Sequence, residues 1–126
     1  MKHTLLIVDD DKLITNTLEK RFSSFDFDVR TAQTAGQAKH ILETFNPDAV
    51  ILDLLLTTED GSMGVLDFMQ SKMGLENVPV IVLTNLDKPE LREVLEQQGV
   101  KEFLVKGQLS LDEIYNKVMS YLEPKV

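Results

Sequence analysis

The sequence predicts a doubly wound α/β fold built from five βα units. Short apolar runs and amphipathic stretches with helical spacing alternate along the chain. Three of the runs are almost wholly apolar, as strands buried on both faces must be, while a fourth alternates with period two. Turn and capping residues punctuate each change of period.

The elements follow in order. Leu5-Leu6-Ile7-Val8 is the first strand, and Ile14, Leu18, Phe22 and Phe25 line the helix after it. Phe27 to Thr31 alternates and is the second strand. Thr34-Ala35-Gly36-Gln37 reads as a capping box for a helix whose inner face is Ala38, Ile41, Leu42 and Phe45. Ala49 to Leu54 is the third strand, followed by a Gly-containing loop and a helix carrying Val65, Leu66, Met69 and Met73. Val80-Ile81-Val82-Leu83 is the fourth strand. Asp87, with Glu90 three residues on, is expected to cap a helix that turns Leu91, Val94 and Leu95 inward and ends at Gly99. Val100 to Val105 is the fifth strand. Ser110-Leu111-Asp112-Glu113 is a second capping box, opening a helix with Ile114, Val118, Met119 and Leu122. The alternating second strand belongs at an edge and the apolar first, third and fourth in the middle. The sheet order 2-1-3-4-5 satisfies this and is the flavodoxin-like arrangement.

Composition excludes several classes. The chain has 126 residues, 43% apolar and 27% charged, which fits one globular domain spanning 1–126 and no disordered or coiled-coil architecture. No apolar run approaches the ~20 residues of a membrane span, and the start of the chain has no secretory signal. Cysteine is absent, which rules out disulfides and thiol chemistry and fits a cytoplasmic location. Thirteen Lys and Arg against 21 Asp and Glu give a net charge of −8. That charge opposes binding to nucleic acid or anionic lipid.

The strand order locates a site. In a doubly wound sheet the binding crevice lies at the carboxyl ends of the strands, where the order reverses, here between strands one and three. Strand one ends in Asp9-Asp10-Asp11 and strand three in Asp53; strands four and five end in Thr84 and Lys106. Carboxylates brought together repel unless a proton or cation intervenes. An all-oxygen set without Cys or His favours Mg²⁺ or Mn²⁺. Asp11 is expected to cap the following helix instead. A nucleotide-binding turn is excluded, because three negative charges stand where glycines and free N–H groups would be needed.

Asp9-Asp10, Asp53, Thr84 and Lys106, each at the end of its strand, resemble the receiver domains of two-component response regulators. The resemblance covers nearly the whole chain. It implies that Asp53 accepts a phosphoryl group from a sensor histidine kinase or phosphotransfer protein. It implies a metal held by Asp10, Asp53 and the backbone carbonyl of Leu55, with Asp9 acting through water. Thr84 would bond the phosphoryl oxygens and Lys106 would pair with their charge. Phe103 falls at the switch aromatic, and the fourth and fifth βα units would form the face that changes for a downstream partner. Such a chain is a signalling switch with no enzymatic turnover of its own beyond self-phosphorylation and slow self-dephosphorylation. Only four residues follow Leu122, so a stand-alone receiver is expected.

Departures from the family pattern mark this chain. Gly107 stands where proline with a cis bond is usual, which leaves the isomer of the Lys106–Gly107 bond open; a cis bond there would cost ~2.5–4 kcal/mol. Asn85 replaces a very small residue and is expected to lie deep and crowd the pocket. Thr57 replaces a common proline, and the segment Thr58 to Gly64 is longer than usual. Leu55 and Leu86 occupy the places nearest the hydrolytic water, which implies a long-lived phosphoryl group. Two other readings compete with it: an adaptor that is no longer phosphorylated, and a haloacid-dehalogenase-type phosphatase suggested by Asp9-x-Asp11, Thr84 and Lys106.

Overall fold

Successive residues of a strand face opposite sides of a sheet, so a strand covered on both sides must be apolar throughout. The computed structural model describes residues 2–24, 27–54, 61–86 and 88–122. In it β1 (His3–Val8), β2 (Phe27–Ala32), β3 (Ala49–Leu52), β4 (Val80–Thr84) and β5 (Val100–Val105) form one parallel sheet ordered β2-β1-β3-β4-β5. The wholly buried runs of β3 and β4 are central, and the alternating β2 lies at an edge. Helices α1 (Lys12–Ser23), α2 (Ala35–Leu42), α3 (Gly61–Ser71), α4 (Pro89–Gln97) and α5 (Leu111–Met119) separate the strands.

Two cores result, one on each face. Leu6, Val8, Val50, Leu52 and Val82 pack with Ala38 and Leu42 of α2, Val65 and Met69 of α3 and Leu95 of α4. Leu5, Ile7, Ile51, Ile81 and Leu83 point the other way, against Leu18 and Phe22 of α1 and Ile114 and Val118 of α5. Each fully buried Leu or Ile contributes roughly 1.5–3 kcal/mol, so the two layers hold the sheet rigid.

One irregularity matters for the site. β4 and β5 pair Val80 with Val100 but Ile81 with Glu102, so Lys101 is taken up without a partner. That extra residue reverses the alternation. Phe103, three residues after Val100, therefore joins the same core as Val100, on the α4 side. Without it Phe103 would point toward α5.

Local expectations mostly hold, with corrections. Thr34 Oγ1 accepts from Gln37 N–H at 3.0 Å, but Gln37 reaches back to the N–H of Gln33 rather than that of Thr34. Ser110 and Glu113 form a complete capping box. The β3 ladder ends at Leu52, two residues before the expected end. Met73 is not on a helix face: α3 ends at Ser71, Gly74 takes a φ of +93°, and Met73 stands 92% exposed in the intervening turn. Val94 is 47% exposed, because Leu91 and Leu95, one turn apart, define the buried stripe and Val94 lies to its side. Lys88 occupies the N-cap place of α4, ahead of Pro89, and makes no side-chain cap bond. Asp87, expected there, lies outside the described residues, as do Phe25, Thr57 and Leu55. No helix among the described residues is long and apolar enough to cross a membrane.

Candidate functional site

The sheet register brings the strand ends together. Asp9 follows β1, and its N–H donates to the carbonyl of Ala32 at 3.0 Å. Asp53 follows β3, and its N–H donates to the carbonyl of Val8 at 2.9 Å. Lys106 follows β5, and its N–H donates to the carbonyl of Thr84 at 2.7 Å. Each of these three candidate side chains thus stands one residue beyond a strand, anchored by a bond to the neighbouring strand. This is why three segments far apart in sequence meet within a few ångströms.

Asp9, Asp10 and Asp53 each offer a carboxylate oxygen within 4.8 Å of the others. Asp9 and Asp53 are buried and Asp10 is exposed. The Lys106 ammonium, 12% exposed, reaches Asp9 Oδ2 at 2.7 Å and Asp53 Oδ2 at 3.1 Å. Asp9 Oδ1 accepts from the N–H of Asp11 at 2.9 Å. Asp11 itself is the N-cap of α1, accepting from Leu13 N–H at 2.9 Å, as expected. Thr84 is fully buried, and its hydroxyl oxygen accepts from Leu86 N–H at 3.3 Å.

The electrostatics follow from this crowding. Burial pushes the Asp9 carboxyl above its ordinary value of 3.8. The bonds from Lys106 and the Asp11 N–H pull the other way, and the Asp53 charge pushes it up further. For Lys106, burial opposes the charged form, but hydrogen bonds to Asp9 and Asp53 and their charges together hold the ammonium above the ordinary 10.5. The lysine is therefore a fixed positive charge at any physiological pH. A cluster of hard oxygen donors suits a small divalent cation, and the donor set of Asp9, Asp10 and Asp53 fits one.

Other expected residues fall as follows. Phe103 is buried, 8% exposed, with the Arg92 guanidinium 5.0 Å above its ring. Asn85 does not lie deep: it is exposed, so its size does not narrow the crevice. The reason is that β4 ends at Thr84, so Asn85 stands one residue beyond the strand, past the stretch that is buried on both faces. The Lys106–Gly107 bond is trans, and Gly107 takes a φ of +84°. Leu86 is half-buried beside Thr84. Sequence reasoning missed the direct Lys106–Asp9 contact and the Arg92–Phe103 stack. No spacing rule links residues on such distant segments. The left-handed turn at Gly107 did leave a signal, a glycine two residues past a strand end.

With this arrangement in view, comparison with known proteins is decisive. Residues 5–119 match the response regulator receiver domain family. The chain belongs to that family. It is 28% identical over 102 residues to the response regulator protein GraR of Staphylococcus aureus, an alignment covering 81% of this chain and 44% of that protein. The matched residues thus span less than half the length of that curated relative. Among solved structures, the receiver domain of a Francisella response regulator superposes with a TM-score of 0.83 at 27% identity, covering 95% of this chain and 96% of that one. The receiver domain of a sensor histidine kinase from Pseudomonas aeruginosa, described with a magnesium ion coordinated in its active-site cleft, has the same fold. Its TM-score is 0.83 at 21% identity, covering 96% of this chain and 98% of that one. Receiver domains are signalling switches of two-component systems.

Proposed function

We propose that residues 1–126 act as one phosphoacceptor unit in which Asp53 receives a phosphoryl group from a sensor histidine kinase or phosphotransfer protein. The observation that supports this best is the convergence of three carboxylates within 4.8 Å with one ammonium bridging two of them. A buried charge cluster of this kind stabilises nothing as efficiently as an apolar core would, so it is present for chemistry.

In the proposed transfer an Asp53 carboxylate oxygen attacks phosphorus. The bond from phosphorus to the donor nitrogen breaks, and its electron pair stays on the imidazole. Asp10, Asp53 and the carbonyl of Leu55 would hold Mg²⁺ or Mn²⁺, with Asp9 acting through water, and the ion would supply neutralisation of the phosphoryl charge. Lys106 stands at the Asp53 carboxylate already and pairs with the negative charge that arrives. Thr84 accepts from Leu86 and has its hydroxyl proton to donate to a phosphoryl oxygen. Drawing Thr84 toward the phosphoryl group would loosen the surface around Phe103, Arg92 and α4, the face offered to a downstream protein.

Incubation with acetyl phosphate and Mg²⁺, read by intact mass, tests the assignment. The native chain should gain one phosphoryl group and the Asp53→Asn protein none. A native chain that stays unlabelled by both acetyl phosphate and a phosphorylated phosphotransfer protein would support the adaptor reading instead. Steady turnover of small phosphate esters would point to a phosphatase.

A further inference from the structure

β5 ends at Val105, and the reach of the Lys106 side chain depends on where the backbone goes next. The chain must leave the sheet and enter α5, whose first residue is Leu111. It begins that reversal at once: Gln108 N–H donates to the carbonyl of Val105 at 3.2 Å, closing a four-residue turn with Lys106 and Gly107 at its centre. Gly107 takes a φ of +84° on a trans peptide. These are the features of a type II turn, whose third residue needs a φ near +80° and is therefore usually glycine.

Lys106 is thus held from both sides. Its own N–H is tied to the Thr84 carbonyl at 2.7 Å, and the turn closes over its carbonyl side. With its backbone so fixed, its ammonium lies 2.7 Å from Asp9 and 3.1 Å from Asp53. A proline in place of Gly107 has its φ locked near −65° and cannot adopt this turn. An ordinary L-residue can, at a penalty that lowers the turn's population roughly 5- to 30-fold.

We propose that Gly107 is a positioning residue: its left-handed conformation sets the turn that aims Lys106 at Asp9 and Asp53. In its kinetic consequence this rests on the phosphoacceptor reading. The position is suited to a clean test, because a Cβ built on Gly107 meets no atom within 4 Å. Gly107→Ala therefore changes conformational preference without a clash. Gly107→Asn adds a larger side chain that tolerates the left-handed region.

Labelling by acetyl phosphate with Mg²⁺ should be at least five-fold slower in Gly107→Ala than in the native chain, and close to native in Gly107→Asn. In a Lys106→Met background the same Gly107→Ala change should slow labelling no further, since its effect passes through the lysine. Hydrogen exchange of the Lys106 ammonium, followed by NMR, gives a second readout without phosphorylation. Exchange should quicken in Gly107→Ala and stay slow in Gly107→Asn. Native labelling and native ammonium exchange in Gly107→Ala, with only a lowered melting temperature, would overturn the proposal. So would an equal loss in the Lys106→Met background. If the native chain is never labelled but ammonium exchange follows the glycine as described, the phosphoacceptor reading fails and the positioning role stands.

Discussion

At the amino end of the sheet a carboxylate sits among donors; at the carboxyl end three carboxylates crowd together and two of them share one ammonium. Asp48, just before β3, accepts from Thr4 N–H at 2.8 Å and from the Thr4 hydroxyl at 3.1 Å, with His3 Nδ1 3.9 Å away. Its own N–H returns a bond to the Thr4 carbonyl at 2.8 Å. That clasp ties the start of β1 to the start of β3. Asp9, Asp10 and Asp53 crowd one another instead, and Lys106 engages two of them. The same side-chain type is structural in one place and, in the function proposed above, reactive in the other. What separates them is whether donors outnumber charges.

The contrast breaks most sharply in labelling. Asp53→Asn should abolish phosphoryl uptake entirely, whereas Asp48→Ala should leave the rate of the folded protein at its native value. Loss of labelling in Asp48→Ala under fully folded conditions would erase the distinction. The next effect runs the other way. Asp48→Ala removes two hydrogen bonds to a charged acceptor and should destabilise the fold by about 2 kcal/mol in denaturant titration.

Cation binding sharpens the same contrast. At about ten times its dissociation constant Mg²⁺ should stabilise the native chain by about 1.4 kcal/mol, seen as a raised melting temperature. The Asp10→Ala protein should respond much less, and chelation should erase the native response. A native chain whose melting ignores millimolar Mg²⁺ would remove the rim from consideration as a metal site.

A smaller effect, of opposite sign to that of Asp48, is expected at Asp9. Its carboxyl is held above 3.8 in the fold, so the folded form takes up the proton before the unfolded one. In chelator the stability from this group is fully present below pH 3.8 and is lost as pH rises through the folded value. Asp9→Asn should therefore stabilise the metal-free protein near neutral pH and should remove this component of the pH profile. Destabilisation by Asp9→Asn in chelator would show that the carboxylate is held as Asp48 is. The smallest expected change is kinetic. Leu86, half-buried beside Thr84, offers water no hydrogen bond, so Leu86→Glu should hasten loss of the phosphoryl group several-fold, on the order of 1 kcal/mol. An unchanged decay rate would mean that Leu86 only covers the site.

Much of this protein was determined by sequence alone. Apolar runs bounded by capping residues define five βα units, because burial on both sheet faces demands continuous apolarity and helices demand a different period. The contrast between the alternating β2 and the apolar β1, β3 and β4 orders the sheet, and that order places Asp9, Asp53, Thr84 and Lys106 on one rim. Tertiary structure alone decided what depends on register and on contacts between distant segments. The unpaired Lys101 turns Phe103 toward α4. The trans, left-handed Gly107 closes the turn after Lys106, and the ammonium settles on Asp9 as well as Asp53. Asn85 faces out although its neighbour Thr84 is buried. Periodicity reports which face a residue prefers. Which atoms meet there is decided by hydrogen bonds between strands and by turns of a few residues, where one unpaired residue or one positive φ redirects a side chain.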